Sequence, residues 1–206
     1  MSQLFVGFDI NKNSTGLAVL NDVGELIMED VFTGCKDTAF DSVEALDLYG
    51  EYFEECHNSL GRILWSKGKK SLTSINLFIE KPFVNSKMQD LSLFLARATG
   101  ICAYIFCKEQ LNMEQGFDCR WLNNKTLKKF ITGSGNSSKI EVRNTIEAMY
   151  GKPEKMSADH RSDRADAISV AYMGLWCNHH LDNNKNLKKI PCWDNHLQIR
   201  QATALR

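Results

Sequence analysis

The chain has 206 residues, of which 43% are hydrophobic and 24% are charged. This length supports one domain with a substantial core and excludes two large ones, and the composition is that of an ordinary soluble globular protein. The formal net charge is zero, so total charge neither favours nor excludes a nucleic-acid partner.

The chain begins with a predicted set of strands. Apolar and aromatic residues over positions 4–10 predict a buried strand, and positions 11–14 have turn chemistry. Residues 16–20 and 26–32 predict two further strands joined by a short turn. We therefore expect three antiparallel strands in a row.

A long amphipathic helix and a fourth strand follow. Apolar residues recur every three or four positions from Phe40 to Ile63, with Val43 among them, and acidic residues fill the other face. The apolar run at residues 75–79 predicts a short buried strand, which ends at Glu80 just before Pro82.

A second helix is predicted at residues 91–108, and it is apolar over much of its circumference. Such a helix needs partners on more than one side. We place it between the sheet and a second copy of the protein, and a fully buried core helix is the alternative. The rest of the chain predicts one more strand, at residues 117–122. It also predicts three more helices, at residues 124–131, 139–150 and 159–176.

These elements predict an α/β fold, with a mixed five-stranded sheet and helices on both faces. The first and fourth strands would be parallel neighbours, which brings Asp9 and Glu80 together. We expect residues 1–177 to form this domain and residues 178–206 to be a polar C-terminal extension.

Charge is unevenly distributed along the chain. Residues 37–55 carry seven acids and neither Lys nor Arg, whereas residues 120–143 carry six bases against Glu141 alone. The molecule could present a basic face to DNA and an acidic back to solvent, and two solvated helix faces of opposite sign are the alternative.

The N-terminal residues, the longest apolar region and the cysteines indicate the compartment. Residues 1–3 lead straight into a strand, so we expect no signal peptide, and Arg97 interrupts the longest apolar region, so we expect no membrane span. Seven cysteines without framework spacing predict reduced thiols. We therefore expect a cytoplasmic or equivalently reducing compartment.

Four acidic residues stand out by their positions. Asp9 lies near the end of the first strand, Glu80 closes the fourth, and Asp163 and Asp166 are one helical turn apart. A carboxylate at the end of a buried strand is unfavourable unless it is neutralised. Oxygen ligands of this kind suit Mg²⁺ or Mn²⁺, so a cation site is predicted where these segments converge.

These acids could support a metal-dependent hydrolysis. Residues three apart share a helix face, so Asp163 and Asp166 can face one ion. A bound cation would relieve the repulsion between their two negative charges. Two ions roughly 4 Å apart can activate water in phosphodiester hydrolysis. His160 is near enough in sequence to join as a ligand or proton carrier. These acids also have ordinary structural alternatives. Asp9 could close a turn, and Glu80 could be a surface residue at the end of a strand. Asp159 or Asp163 could be a helix N-cap.

Residues 133–139, GSGNSSK, form a predicted loop that opens a helix. Backbone amides at such a position can hold a phosphate. The loop is not a nucleotide-binding P-loop, because the second Gly before Lys is missing and no strand directly precedes it. We expect a contact with the DNA backbone, and a plain loop is the alternative.

Four motifs resemble, in their order, the RuvC family of Holliday-junction resolvases among the RNase H-like nucleases. GFDINKNSTGLAV resembles the first-strand Asp motif, and LFIEKPF resembles the fourth-strand Glu motif. The segment from Asn124 through GSGNSSKIEVRNTI resembles the basic DNA-facing region, and DRADAISVA resembles the closing helix. The resemblance covers roughly residues 4–176.

The resemblance implies an RNase H-like fold and a homodimer that cuts four-way or branched DNA symmetrically, in DNA recombination and repair. It implies Mg²⁺ or Mn²⁺ as cofactor, with two ions per active site. The implied catalytic metal ligands are Asp9, Glu80, Asp163 and Asp166. The implied DNA-binding residues are Phe83, Lys125, Lys128 and Lys139. Phe83 would stack on a base at the junction centre, and ordinary packing is its alternative.

The chain also departs from the family pattern. Residues 34–74 are longer and more acidic than in bacterial members, and the common Pro-Gly after the first Asp is missing. These departures suggest a divergent member of phage or organelle type, and they leave open whether the substrate is the Holliday junction or branched DNA more broadly. Two other functions stay open: a non-catalytic branched-DNA-binding protein of the same fold, and an actin-like nucleotide-binding phosphotransferase, which would need a second domain.

Overall fold

The computed structural model describes residues 2–34, 42–66, 72–82, 87–110 and 118–181. In these parts the chain forms five strands and five helices. The strands are β1 (Ser2–Ile10), β2 (Ser14–Asn21), β3 (Leu26–Thr33), β4 (Leu72–Glu80) and β5 (Asp118–Leu122). The helices are α1 (Val43–Ser66), α2 (Gln89–Gln110), α3 (Asn124–Thr132), α4 (Lys139–Tyr150) and α5 (Ala158–Leu181).

The strands form one mixed sheet in the order β3-β2-β1-β4-β5. Strands β1, β2 and β3 pair antiparallel, whereas β4 pairs parallel with both β1 and β5. This confirms the predicted α/β fold with a mixed five-stranded sheet. Phe8 pairs with Ile79, so the next residue of each strand, Asp9 and Glu80, comes at the same edge of the sheet.

Hydrophobic cores cover both faces of the sheet, because neighbouring side chains of a strand point to opposite faces. On one face, Phe8 of β1 makes edge-to-face contacts with Phe53 of α1 and Phe106 of α2. On the other face, Phe78 of β4 and Tyr172 of α5 belong to the core that α5 forms with α3 and α4. The helices thus lie on both faces, as predicted.

Helix α5 packs closely on the sheet because β1 has a glycine, Gly7, beneath it. A Cβ atom added at Gly7 would lie 2.4 Å from the backbone nitrogen of Ala171 and 2.5 Å from the carbonyl oxygen of Ala167. A larger residue would therefore push the helix away. The helix continues to Leu181, past the boundary that we placed after residue 177.

Helix α2 packs against α1 and the sheet and leaves its outer side exposed. Phe94 and Cys102 are buried, whereas Leu93 and Tyr104 are 50% and 64% exposed, so the alternative of a fully buried core helix is wrong. By length and composition alone, residues 89–108 could cross a membrane despite Arg97, although a core helix of a soluble protein meets the same criteria.

In α1, the predicted inner stripe is wrong at Val43, and its first residue, Phe40, lies outside the described residues. Val43 is 70% exposed at the first residue of the helix, whereas Tyr49, Phe53 and Leu60 are buried. Val43 therefore lies beyond the edge of the core, whereas Ala45 of the same turn is buried in it.

Candidate active site

The four predicted carboxylates lie at the edge of the sheet where β1 and β4 end. Asp9 is only 4% exposed, and it interacts electrostatically with Asp166, Glu80 and Asp163. Asp163 and Asp166 reach this edge from the first half of α5, whose backbone lies on β1 and β2. The structure therefore brings the four acids to one place.

Neutral side chains from the turn after β1 and from the first residue of β2 hold two of these acids. Asn11 donates a hydrogen bond of 2.8 Å from its Nδ2 to Oδ2 of Asp9. Ser14 donates one of 2.5 Å from its Oγ to Oδ2 of Asp163. Sequence reasoning missed both donors, although an amide two residues after a strand-end Asp is a recognisable local signal.

A third neutral donor holds Glu80 from the beginning of α3. Asn124 donates from its Nδ2 to Oε1 of Glu80 at 2.6 Å. Asn123 caps this helix by accepting the backbone N–H of Lys125, which fixes the position of the first turn. The glutamate is therefore oriented by the helix that carries Lys125 and Lys128, two of the predicted DNA-binding lysines.

The ammonium of Lys139 bridges the two acids of α5. Its Nζ lies 3.5 Å from Oδ2 of Asp166 and 3.8 Å from Oδ1 of Asp163. Lys139 is the first residue of α4, and its side chain is 58% exposed. One face of this cation thus meets the carboxylates while the other meets solvent.

The surroundings of these acids disfavour their negatively charged forms. Burial raises the pKa of Asp9 well above its ordinary value, and the negative charges of Asp166 and Glu80 add to this effect. Burial also raises the pKa of Asp166 to about 6, against the opposing effect of Lys139. For Glu80, burial raises the pKa, while the hydrogen bond from Asn124 lowers it. Added positive charge would relieve this repulsion.

The donor set fits a divalent cation in its chemistry, since carboxylate oxygens are the ligands that Mg²⁺ and Mn²⁺ prefer. In the described ranges, however, no three side chains of Asp, Glu, His or Cys are arranged so that they could hold one ion as they stand. The cation that contacts Asp163 and Asp166 in this arrangement is the Lys139 ammonium.

Helix α5 begins before its acids. Ser157 accepts the backbone N–H of His160 at 3.2 Å and so caps the helix, which makes the N-cap alternative for Asp159 or Asp163 wrong. Within the described part of the chain, no hydrogen bond or ion pair joins the ring of His160 to the four carboxylates. Its accessory role stays a prediction.

The other predicted DNA-binding residues lie around this edge. Lys125 is exposed on α3, and Lys128 is half-buried and close enough to Glu80 to favour its charged form. Phe83 lies outside the described residues, so its predicted stacking is not tested.

The loop before α4 uses its helix-terminal amides internally. Ser138 accepts the backbone N–H of Glu141 at 3.2 Å, and Glu141 accepts the backbone N–H of Ser138 at 2.6 Å. This capping box pairs two of the amides that we expected to hold a DNA phosphate. The side chain of Lys139 is therefore the stronger phosphate-binding candidate in this segment.

Comparison with solved structures finds the same fold. The chain is similar to the Thermus thermophilus RuvC structure, with a TM-score of 0.57 and 15% identity, over 86% of this chain and 96% of that chain. It is also similar to T. thermophilus RuvC in complex with Holliday junction substrate, with a TM-score of 0.54 and 16% identity, over 83% of this chain and 90% of that chain. No family model and no curated protein matches the chain. At these identities the likeness shows that the chain has a RuvC-like, RNase H-like fold.

Proposed function

We propose that this protein is a metal-dependent endonuclease that resolves Holliday junctions or other branched DNA by symmetric phosphodiester hydrolysis. The observation that carries the proposal is the convergence of Asp9, Glu80, Asp163 and Asp166 at one edge of the sheet, with Lys139 beside them. The similar solved structure in complex with a Holliday junction substrate supports this choice of substrate.

The metal would be Mg²⁺ or Mn²⁺, with two ions per site, held by Asp9, Glu80, Asp163 and Asp166. When bound, such ions activate water for attack and stabilise the leaving oxygen. The chain itself supplies the orientation of the ligands. Ser14 fixes one oxygen of Asp163, and Asn124 fixes one oxygen of Glu80, so both acids are preorganised by neutral donors.

DNA would approach this edge from the side of α3 and α4. Lys125, Lys128 and Lys139 would contact backbone phosphates, which supply affinity without sequence information. Phe83 would stack on a base at the opened junction centre, as the family resemblance implies.

A homodimer through α2 completes the proposal, because two opposed cuts need two sites related by symmetry. Leu93 and Tyr104 lie about three turns apart on one outer face of α2, and both are exposed. Met88, just before the helix, is exposed as well. Large apolar side chains grouped on one helix are typical of a contact surface.

The deciding experiment incubates the purified protein with a labelled synthetic four-way junction and Mg²⁺, with linear duplex as the control. We expect paired nicks in opposed strands of the junction, and we expect Asp163→Asn to bind the junction without cutting it. Intact junction with folded wild-type protein, in Mg²⁺ and in Mn²⁺, would refute the nuclease.

A non-catalytic branched-DNA-binding protein is the second candidate. The ion pairs of Lys139 with Asp163 and Asp166 favour it, because they partly neutralise the acids without any metal. Junction binding that metal leaves unchanged, together with no cleavage, would support this candidate instead.

A further inference from the structure

The carboxylates of the site are held in two different ways. Asp9, Asp163 and Glu80 each accept a short hydrogen bond from a neutral side chain. Such bonds orient an acid but leave its negative charge in place. Asp166 instead faces the positively charged Nζ of Lys139 at 3.5 Å, and Asp163 faces the same atom at 3.8 Å in addition to its hydrogen bond.

The backbone of Lys139 is fixed, whereas its side chain can move. Ser138 and Glu141 form a capping box around the first turn of α4, which holds the backbone of Lys139 near the acids. The Nζ distances of 3.5 and 3.8 Å are those of an ion pair without a tight hydrogen bond, and the side chain is 58% exposed. The carboxylates that it faces are largely buried, with side chains 9% and 13% exposed, so the ammonium can leave at little cost only when another cation takes its place.

We propose that Lys139 is a displaceable counter-ion, which neutralises the acids of α5 in the DNA-free protein, competes there with the divalent cation, and moves to a DNA phosphate when a junction binds. This proposal rests on the proposed nuclease function and adds a coupling between its two ligands. In the DNA-free protein, the ammonium and the metal oppose each other because they neutralise the same two carboxylates.

The coupling has a definite direction. A junction phosphate beside Lys139 would draw the ammonium away from Asp163 and Asp166, which would leave these acids more attractive to a cation. By thermodynamic linkage, bound metal would in turn strengthen junction binding. The protein would therefore bind its metal weakly until the substrate arrives.

The test compares Mn²⁺ binding to DNA-free wild type, Lys139→Met and Lys155→Met by calorimetry, with electron paramagnetic resonance as a second readout. Lys155 is exposed in the turn before α5, so its variant matches the change in net charge. We expect Lys139→Met to bind Mn²⁺ about tenfold tighter than wild type, because one competing charge is gone. We expect Lys155→Met to bind as wild type does, and Lys139→Arg, which keeps the cation, to show no such gain.

The same preparations are then assayed on the junction. We expect Lys139→Met to cut more slowly than wild type although it binds metal more tightly, because the phosphate contact is lost. Equal or weaker Mn²⁺ binding by folded Lys139→Met, with an active wild type, would overturn the counter-ion role alone. A wild type that neither binds Mn²⁺ nor cuts would overturn the nuclease function, and the counter-ion role with it.

Discussion

Gly16 of β2 packs directly against the backbone of Asp163 in α5: a Cβ atom at Gly16 would lie 2.2 Å from the carbonyl oxygen of Asp163. Gly16 is also the pairing partner of Asp9 in the antiparallel register. The close approach of the helix at this glycine therefore brings an acid of α5 beside an acid of β1. Gly16, the second residue of the Thr-Gly pair in the first motif, thus allows α5 to pack closely on β2.

Replacing Gly16 by Ala should damage both the fold and the site. The added methyl group meets backbone rather than a flexible side chain, so α5 must shift, and overpacking of this kind typically costs about 1–3 kcal/mol in the free energy of unfolding. Urea denaturation measures the loss, and the junction assay should show reduced cleavage.

The matched control is Gly61→Ala in α1, where an added Cβ would meet nothing within 4 Å. Alanine favours helix over glycine by about 0.5–1 kcal/mol, so this variant should be slightly more stable than wild type. If Gly16→Ala were as stable and active as the wild type, the contact with α5 would not position the site.

The nearness of Asp9 and Glu80 could be predicted from sequence, because both end buried strands that pair in parallel. The strands and helices were predictable for the same reason: their apolar residues repeat with a clear period. The hydrogen bond between Ser14 and Asp163 joins residues 149 positions apart, and no local pattern marks it.

Arg164 shows a second limit of sequence reasoning. It lies between the two acids of the closing motif and could pass for a DNA-binding residue, yet it is only 2% exposed. Its Nε donates to Oε2 of Glu29 at 2.6 Å, and its guanidinium also contacts the carbonyl oxygen of Gly151. Only the packing of α5 against β3 and the end of α4 reveals this structural role.

Removing a neutral donor should slow cleavage without weakening junction binding. Ser14→Ala and Asn124→Ala each free a carboxylate that is now oriented, and loss of such a partner costs about 10–100-fold in metal affinity or activity at metal sites. Single-turnover cleavage measures the first effect and a junction-binding titration the second.

Ser92→Ala is the control for these variants, because Ser92 donates its hydroxyl to the carbonyl oxygen of Met88 at the beginning of α2. We expect this variant to cut at the wild-type rate. Unchanged rates for Ser14→Ala and Asn124→Ala would show that their hydrogen bonds do not organise the site.

Without metal, the stability of the protein should fall as pH rises through weak acidity. Burial raises the pKa of Asp166 from 3.8 to about 6, so between these values the folded state holds more protons than the unfolded state. This contribution to stability is therefore present at pH 4 and lost above pH 6. Burial likewise raises the pKa of Asp9 and Glu80, which acts in the same direction.

Asp166→Asn isolates this effect, since an amide does not ionise. In the presence of a chelator, the variant should exceed wild type in stability at pH 7 by at most about 3 kcal/mol, and the gain should shrink toward pH 4. Urea denaturation at the two pH values is the measurement. A pH-independent difference would mean that Asp166 does not ionise at a raised pKa.

Lys125 should contribute to DNA binding through charge alone. It is exposed on α3, whose first turn also holds Glu80 through Asn124. For Lys125→Ala we expect weaker junction binding and a plot of log affinity against log salt that is shallower by about one unit. An unchanged slope would remove Lys125 from the DNA-contacting surface.

A charge placed on the outer side of α2 should separate the proposed dimer. Leu93 is 50% exposed there. A glutamate at this position would be buried without a partner in the apolar dimer contact, which is strongly unfavourable. We therefore expect Leu93→Glu to be a folded monomer in sedimentation velocity. Val43→Glu is the control, because Val43 is 70% exposed at the beginning of α1, and this variant should keep the oligomeric state of wild type. With one site per particle, Leu93→Glu should nick a junction in single strands rather than cut opposed strands together. A dimeric Leu93→Glu that still makes paired cuts would place the dimer contact elsewhere.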